Sequence, residues 1–132
     1  MPALVREPFQ YAVLRVVPDL ERGEAVNAGV VLFCRRRGFL AARARLDHDR
    51  LAALAPGADA AAIAARLDDL VRIAAGDPAA GAVARLDQSE RFGWLTAPAS
   101  TVVQPSAVHT GLCEDPGATL AGLVEKLVGP PG

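Results

Sequence analysis

Apolar and polar positions divide the chain into two unlike halves. Residues 9–17, FQYAVLRVV, are rich in aromatic and β-branched side chains and end at Pro18, a pattern that predicts a strand. The polar run PDLERGE (18–24) follows, with Gly23 as its turn residue. Residues 25–34, AVNAGVVLFC, are almost continuously apolar. That suits a strand covered on both faces, with Asn27 as the polar exception. RRRG (35–38) makes a turn, and FLAARARL (39–46) alternates toward a third strand. Connections this short favour antiparallel pairing.

Helical patterning begins after Leu46. Asp47 is placed to cap a short helix, HDRLAAL, that stops at Pro56 and Gly57. Asp59 caps a longer one reaching about Ala75, with Ile63, Leu67, Leu70, Val71 and Ala74 on one face. Asp68 and Arg72 stand four apart with the acid first, a pair worth about 0.3 kcal/mol. Gly76, Asp77 and Pro78 end that helix, and PAAGAVAR is a weakly specified connection. Asp87 and Glu90 have capping-box spacing, so QSERFGWL is a short helix presenting Phe92 and Trp94. STVVQPS (100–106) reads as a strand broken by Pro105. Asp115 and Pro116 start a last helix with Leu120, Leu123, Val124 and Leu127 on one face, ending at Gly129 and Pro130. No repeat or linker interrupts the chain. Residues 1–132 therefore read as a single domain of the α+β class, an antiparallel sheet of three to five strands with helices packed on it as a single pair of layers.

Composition narrows the function more than the fold. The chain is 52% hydrophobic and 22% charged, as globular domains are. Alanine inflates the first figure, so packing falls to bulkier residues, among them Phe9, Tyr11, Leu67, Phe92 and Trp94. A net charge of −1 supplies no global field for nucleic acid or an anionic membrane. All the basic residues except Lys126 are arginine, which fits a GC-rich coding bias and removes weight from the arginine count. No apolar run of about eighteen residues predicts a transmembrane helix. The start, MPALVREPFQ, lacks the apolar core of a secretory signal, so the expected location is cytoplasmic. Cys34 and Cys113 are expected as free thiols.

The polar chemistry is concentrated late. No serine or threonine occurs before Ser89, and the segment STVVQPSAVHTGLCEDP (100–116) gathers Thr101, Gln104, Ser106, His109, Thr110 and Cys113. His109 four residues before Cys113, with Gly111 between, is a base–thiol arrangement if the chain folds back there. A helix start just after Cys113 would lower its thiol pKa. Ser106 is the alternative nucleophile, although no G-x-S-x-G elbow is present. Opposed to this, Ser and Thr in irregular segments ordinarily satisfy backbone groups. Cys34, His48, His109 and Cys113 are spaced unlike zinc ligands, and no metal or cofactor is expected. Neither phosphate-binding glycine loop occurs. Around the first turn, Arg22, Glu24 and Asn27 are the polar groups; Arg22 either holds an anion or pairs with Glu24. Glu114 and Asp115 fit a helix cap better than an acid–base pair. The arginines at 35, 36, 37, 43 and 45 allow phosphate contact, but a solvated hairpin is the stronger reading.

Three pieces of the chain resemble the bacterial domain-of-unknown-function family 3037: residues 11–34, 39–47 and 89–116. The resemblance rests on Arg22-Gly23-Glu24, on Asn27-Ala28-Gly29-Val30, on Ser89-Glu90-Arg91-Phe92, and on Ser106 through Asp115. Ala107 stands where the family commonly has proline, and Gly93 where a larger residue is common. The family supplies no activity. It implies an accessory role, since members resemble proteins often encoded beside a HipA-like kinase. The leading expectation is a binding or accessory domain without catalysis, its ligand surface formed by Arg22, Glu24, Asn27, Arg91, Thr101, Gln104, Ser106, His109 and Thr110. The rival is an enzyme on a nucleotide, nucleic acid or other phosphorylated substrate, with His109 as acid or base, Cys113 or Ser106 as nucleophile and Arg22 or Arg91 holding the anion. A third is a structural module, monomer or homodimer through the exposed hairpin.

Overall fold

The computed structural model describes residues 5–129. Strands β1 (Glu7–Val16), β2 (Val26–Cys34) and β3 (Phe39–Ala44) form an antiparallel meander. Gly38 adopts the left-handed conformation (φ 58°) that closes the β2–β3 turn. Helices α1 (His48–Leu54), α2 (Ala60–Ala75) and α3 (Gln88–Thr96) follow. The weakly specified connection before α3 forms two 3-10 turns, Pro78–Ala80 and Val83–Arg85. The chain then returns to the sheet as β4 (Val103–Pro105) and β5 (His109–Cys113), and ends in α4 (Pro116–Leu127). Pro130, expected to reinforce that helix end, lies outside the described residues.

Helix starts are local chemistry. The carboxylates of Asp47, Asp59, Asp87 and Asp115 accept from the backbone N–H of Arg50, Ala62, Glu90 and Ala118, respectively. Each such cap stabilises by about 1 kcal/mol. The expected Asp68–Arg72 pair does not form. Gly76 (φ 75°) turns the chain back at the end of α2 and delivers Asp77 to the Arg72 side chain, Nε to Oδ2 at 3.0 Å, while Asp69 stands 3.8 Å away.

The sheet order is β3-β2-β1-β4, with β5 also on β1. β4 and β5 thus share one side of β1, pairing with residues 14–16 and 7–11. The α+β class with an antiparallel sheet holds, but the layering differs from the expected single pair. From Val30 on, successive β2 residues serve opposite cores, and a register shift against Leu14 and Arg15 takes Ala28 out of that alternation. Ala28, Val31 and Phe33 pack with Leu51 of α1, with Ile63, Leu67, Leu70 and Ile73 of α2, and with Phe92 and Leu95 of α3. Val30, Leu32 and Cys34 pack on the other side with Leu120 of α4 and Val128. Helices therefore cover both faces, and α4 is the third layer. Burying the four aliphatic side chains of α2 contributes roughly 6–12 kcal/mol before chain entropy is counted. Trp94, expected in the core, is 41% exposed. No helix of the described residues is long and apolar enough to cross a membrane.

Candidate functional site

Residues 103–113 run along β1 as β4 and β5, an edge interrupted by one extra residue. Pairing with β1 runs Val16–Val103, Arg15–Gln104 and Leu14–Pro105, then resumes at Tyr11–His109. Between them Ser106 N–H donates to Val13 O at 2.8 Å, so Ala107 and Val108 together face Ala12, which is a bulge. The bulge costs Val13 its usual backbone acceptor. Ser106 Oγ accepts that N–H at 2.9 Å and donates onward to Ala107 O, also at 2.9 Å. Thr101 Oγ1 donates to Val103 O at 2.8 Å, and Pro105 offers no N–H. Both blunt the outer edge of β4 against further pairing. Gly111 lies under the Phe9 ring, where a Cβ would come within 2.7 Å of ring carbons.

The base–thiol arrangement is overturned. His109 and Cys113 begin and end β5, an extended run that separates their Cα atoms by roughly 13 Å. Residues 109–113 show little alternation, and Gly111 reads as a point where the chain could fold back; pairing with β1 makes the run a strand. His109 is exposed, whereas Cys113 is 4% exposed beneath α4. Burial pushes the Cys113 thiol above its ordinary pKa, and neighbouring Cys34 pushes it further. The helix start does not make it a thiolate. Both cysteines are free thiols, as expected. Among the described residues no three His, Cys, Asp or Glu side chains cluster to hold a metal.

The first-turn group also separates. Arg22 hydrogen-bonds Glu24, and that bond together with the Glu24 charge holds its guanidinium ionised. Both line a shallow notch with Leu54 and Ala55, at the α1 side of the sheet. Asn27 points the other way, where its Nδ2 donates to Leu127 O at 3.0 Å and ties β2 to the end of α4. Arg91 is used by the fold: it donates to Leu86 O at 2.7 Å and to Ala74 O at 3.3 Å, completing the C-terminal end of α2. Thr110 is exposed on β5. The arginine-rich hairpin is largely self-engaged: Arg35 bonds Ser89, Arg36 pairs with Glu7, Arg37 bonds Val5 O and Arg45 pairs with Glu125.

What does converge lies on the α4 side of the sheet. α4 packs mainly against β2 and β3 and also covers Phe9 of β1 and Cys113 of β5, so it is the stretch of that face around Arg15 and β4 that has no helix packed extensively over it. Leu14, Val16 and Val103 belong to the opposite core, so Arg15 and Gln104 face this side. One cross-strand row therefore reads Asn27, Arg15, Gln104. Two residues back along β1 comes Val13, and then Tyr11, whose ring lies 5.2 Å from that of His109. Sequence reading marked Asn27, Gln104 and His109 but not Arg15.

Arg15 is the anomaly of the row. Among the described residues, three buried side-chain atoms lack a hydrogen-bond partner: Glu7 Oε2, Arg15 Nε and Arg91 Nε. Glu7 has Arg36 beside it, and Arg91 bonds two carbonyls through its other nitrogens. Arg15 is half-buried, and among the described residues no ion pair or side-chain hydrogen bond uses it. A guanidinium partly withdrawn from water without a partner lowers the stability of the free protein. It also stands ready for an anion, because its forked donors match carboxylate and phosphate oxygens.

Comparison with known proteins agrees with the fold's extent. The family model described as "Protein of unknown function (DUF3037)" matches residues 11–128, nearly the whole chain. No curated protein and no solved structure matches it. The chain belongs to the DUF3037 family.

Proposed function

We propose that this DUF3037 domain is a binding module without a reaction of its own, and that the open part of its α4-side face holds an anionic group of its ligand or partner. The observation that carries this reading is Arg15, half-buried and unpaired between Asn27 and Gln104. Arg15 supplies the charge and the forked donors. Gln104 adds an amide beside it, and Asn27, with its Nδ2 committed to Leu127, presents its carbonyl oxygen to whatever donor accompanies the anion. Tyr11 and His109 form an aromatic ledge further along β1, suited to a planar or apolar portion of the same ligand. The protein partner to try first is the HipA-like kinase that the family resemblance implies.

A catalytic reading has less to stand on. Its base, its thiol and its anion holder are dispersed over an exposed edge, a core and a remote loop, and Ser106 spends both of its hydrogen-bonding roles on backbone.

Titration of ¹⁵N-labelled protein with inorganic phosphate and with acetate, at constant ionic strength, tests the proposal. A free anion on one anchoring arginine binds with a Kd on the order of millimolar. Saturable shifts should cluster at Tyr11, Arg15, Asn27, Gln104 and His109 and vanish in Arg15→Gln. Shifts spread over the exposed arginines, unchanged by that substitution, would sink the site.

A further inference from the structure

The other side of the sheet carries an unassigned cleft of about 280 Å³ between α2, α3 and the segment leading into β4. Its apolar wall is made by Leu14, Leu70, Leu95 and Val103, all part of the main core. Trp94, the one tryptophan of the chain, stands at its rim 41% exposed, and Arg66 of α2 places its guanidinium 5.8 Å from the centre of that ring. Segment 97–101, APAST, forms the opposite lip.

Two features define what this cleft fits. Its volume falls just below the range of small-molecule pockets, roughly 300–1,000 Å³, so it suits one large side chain rather than a whole cofactor. Arg66 is the one charged residue lining it, and among the described residues no carboxylate pairs with it. An aromatic side chain entering beside Trp94 meets the indole and aliphatic walls, and an acid beside it in sequence meets Arg66. We propose that this cleft is a peptide-docking site for a partner segment in which an aromatic residue is flanked by carboxylates. The inference stands apart from the Arg15 site, which lies on the opposite face and would survive its failure.

Trp94 makes the test direct, because all tryptophan emission comes from the rim of the cleft. Three blocked tripeptides serve as probes: aspartate–phenylalanine–aspartate, lysine–phenylalanine–lysine, and aspartate–alanine–aspartate. The first should change Trp94 emission saturably in the millimolar range or tighter. The second and third should bind at least fivefold more weakly. Arg66→Gln should weaken the acidic aromatic peptide at least fivefold and Arg66→Lys less than that, with thermal melts confirming that both variants fold. Equal binding of the lysine peptide, equal binding of the alanine peptide, no saturable change, or indifference to Arg66→Gln would each overturn the proposal.

Discussion

Replacing Ser106 by alanine removes one oxygen and leaves the buried Val13 N–H without its acceptor. A buried amide stripped of its partner costs roughly 1–3 kcal/mol. Ser106 itself is only half-buried, so solvent recovers part of that loss, and the expected cost is about 1–2 kcal/mol. The neighbouring bond from Ser106 N–H to Val13 O is backbone and persists, so the strand pairing survives. Urea unfolding followed by circular dichroism reads the effect as a lower midpoint at unchanged slope. The melting temperature should fall by about 3–5 °C for each kcal/mol. Ser100→Ala is the control, since Ser100 is exposed and outside the ladder; it should stay within about 0.5 kcal/mol of the parent. If Ser106→Ala is also within 0.5 kcal/mol, the hydroxyl does not close the bulge and its presence there needs another explanation.

Further outcomes follow from the same contacts. Gly111→Ala places a methyl 2.7 Å from the Phe9 ring and should destabilise by about 1–3 kcal/mol through forced repacking, read by thermal melting; a neutral result would mean that Phe9 moves aside freely. The Asp77 carboxyl is held below its ordinary pKa by the N–H of Ala79 and then by Arg72. Its contribution is thus fully present above the ordinary carboxyl pKa of about 3.9 and disappears as pH falls through the lower native value. Asp77→Asn should make the acid limb of the stability–pH curve shallower, and an unchanged limb would contradict that pairing. Because burial raises the Cys113 thiol, native protein at pH 8 should label with a disulfide reagent at least tenfold more slowly than urea-unfolded protein. Rapid labelling of the native chain would restore the thiol as a reactive group.

Helix starts were legible because a cap is a contact within four residues, and each of the four aspartates does what its spacing implies. The meander was legible too: β2 is apolar on both faces, and the structure covers both. The second covering layer was not, because the apolar stripe of α4 says only that it packs, not on which face. β5 was hidden by the same non-local dependence. His-Thr-Gly-Leu-Cys buries only Cys113 and carries a glycine mid-run, and it is extended because ten-residue β1 has an unpaired side there. Glycine in that run marks a close approach to Phe9, not a fold-back.

The site shows the same division. Asn27 and Gln104 stood out as polar positions in apolar surroundings, yet their shared row depends on pairing across 77 residues of chain, 27 to 104, through β1. Arg15 left a signal that the sequence reading passed over. It is the one charged residue between Phe9 and Val17, in a run otherwise made almost wholly of apolar residues. Its lack of a partner could be known only after the neighbouring strands were placed. The hydroxyl-rich segment proves structural in part: Thr101 and Ser106 bond backbone carbonyls or amides, whereas Ser100 and Thr110 are exposed.

The central claim is that Arg15 is kept for a ligand and not for the fold. Wild type and Arg15→Met should be compared by thermal unfolding with phosphate added at about ten times its Kd, ionic strength matched with chloride. The account predicts that wild type gains about 1.4 kcal/mol from the anion. It predicts that Arg15→Met gains nothing, and that without anion it is as stable as wild type or more so, since an unpaired guanidinium is gone. A variant destabilised by 2 kcal/mol or more, or one that phosphate stabilises as well as it does wild type, would contradict the claim.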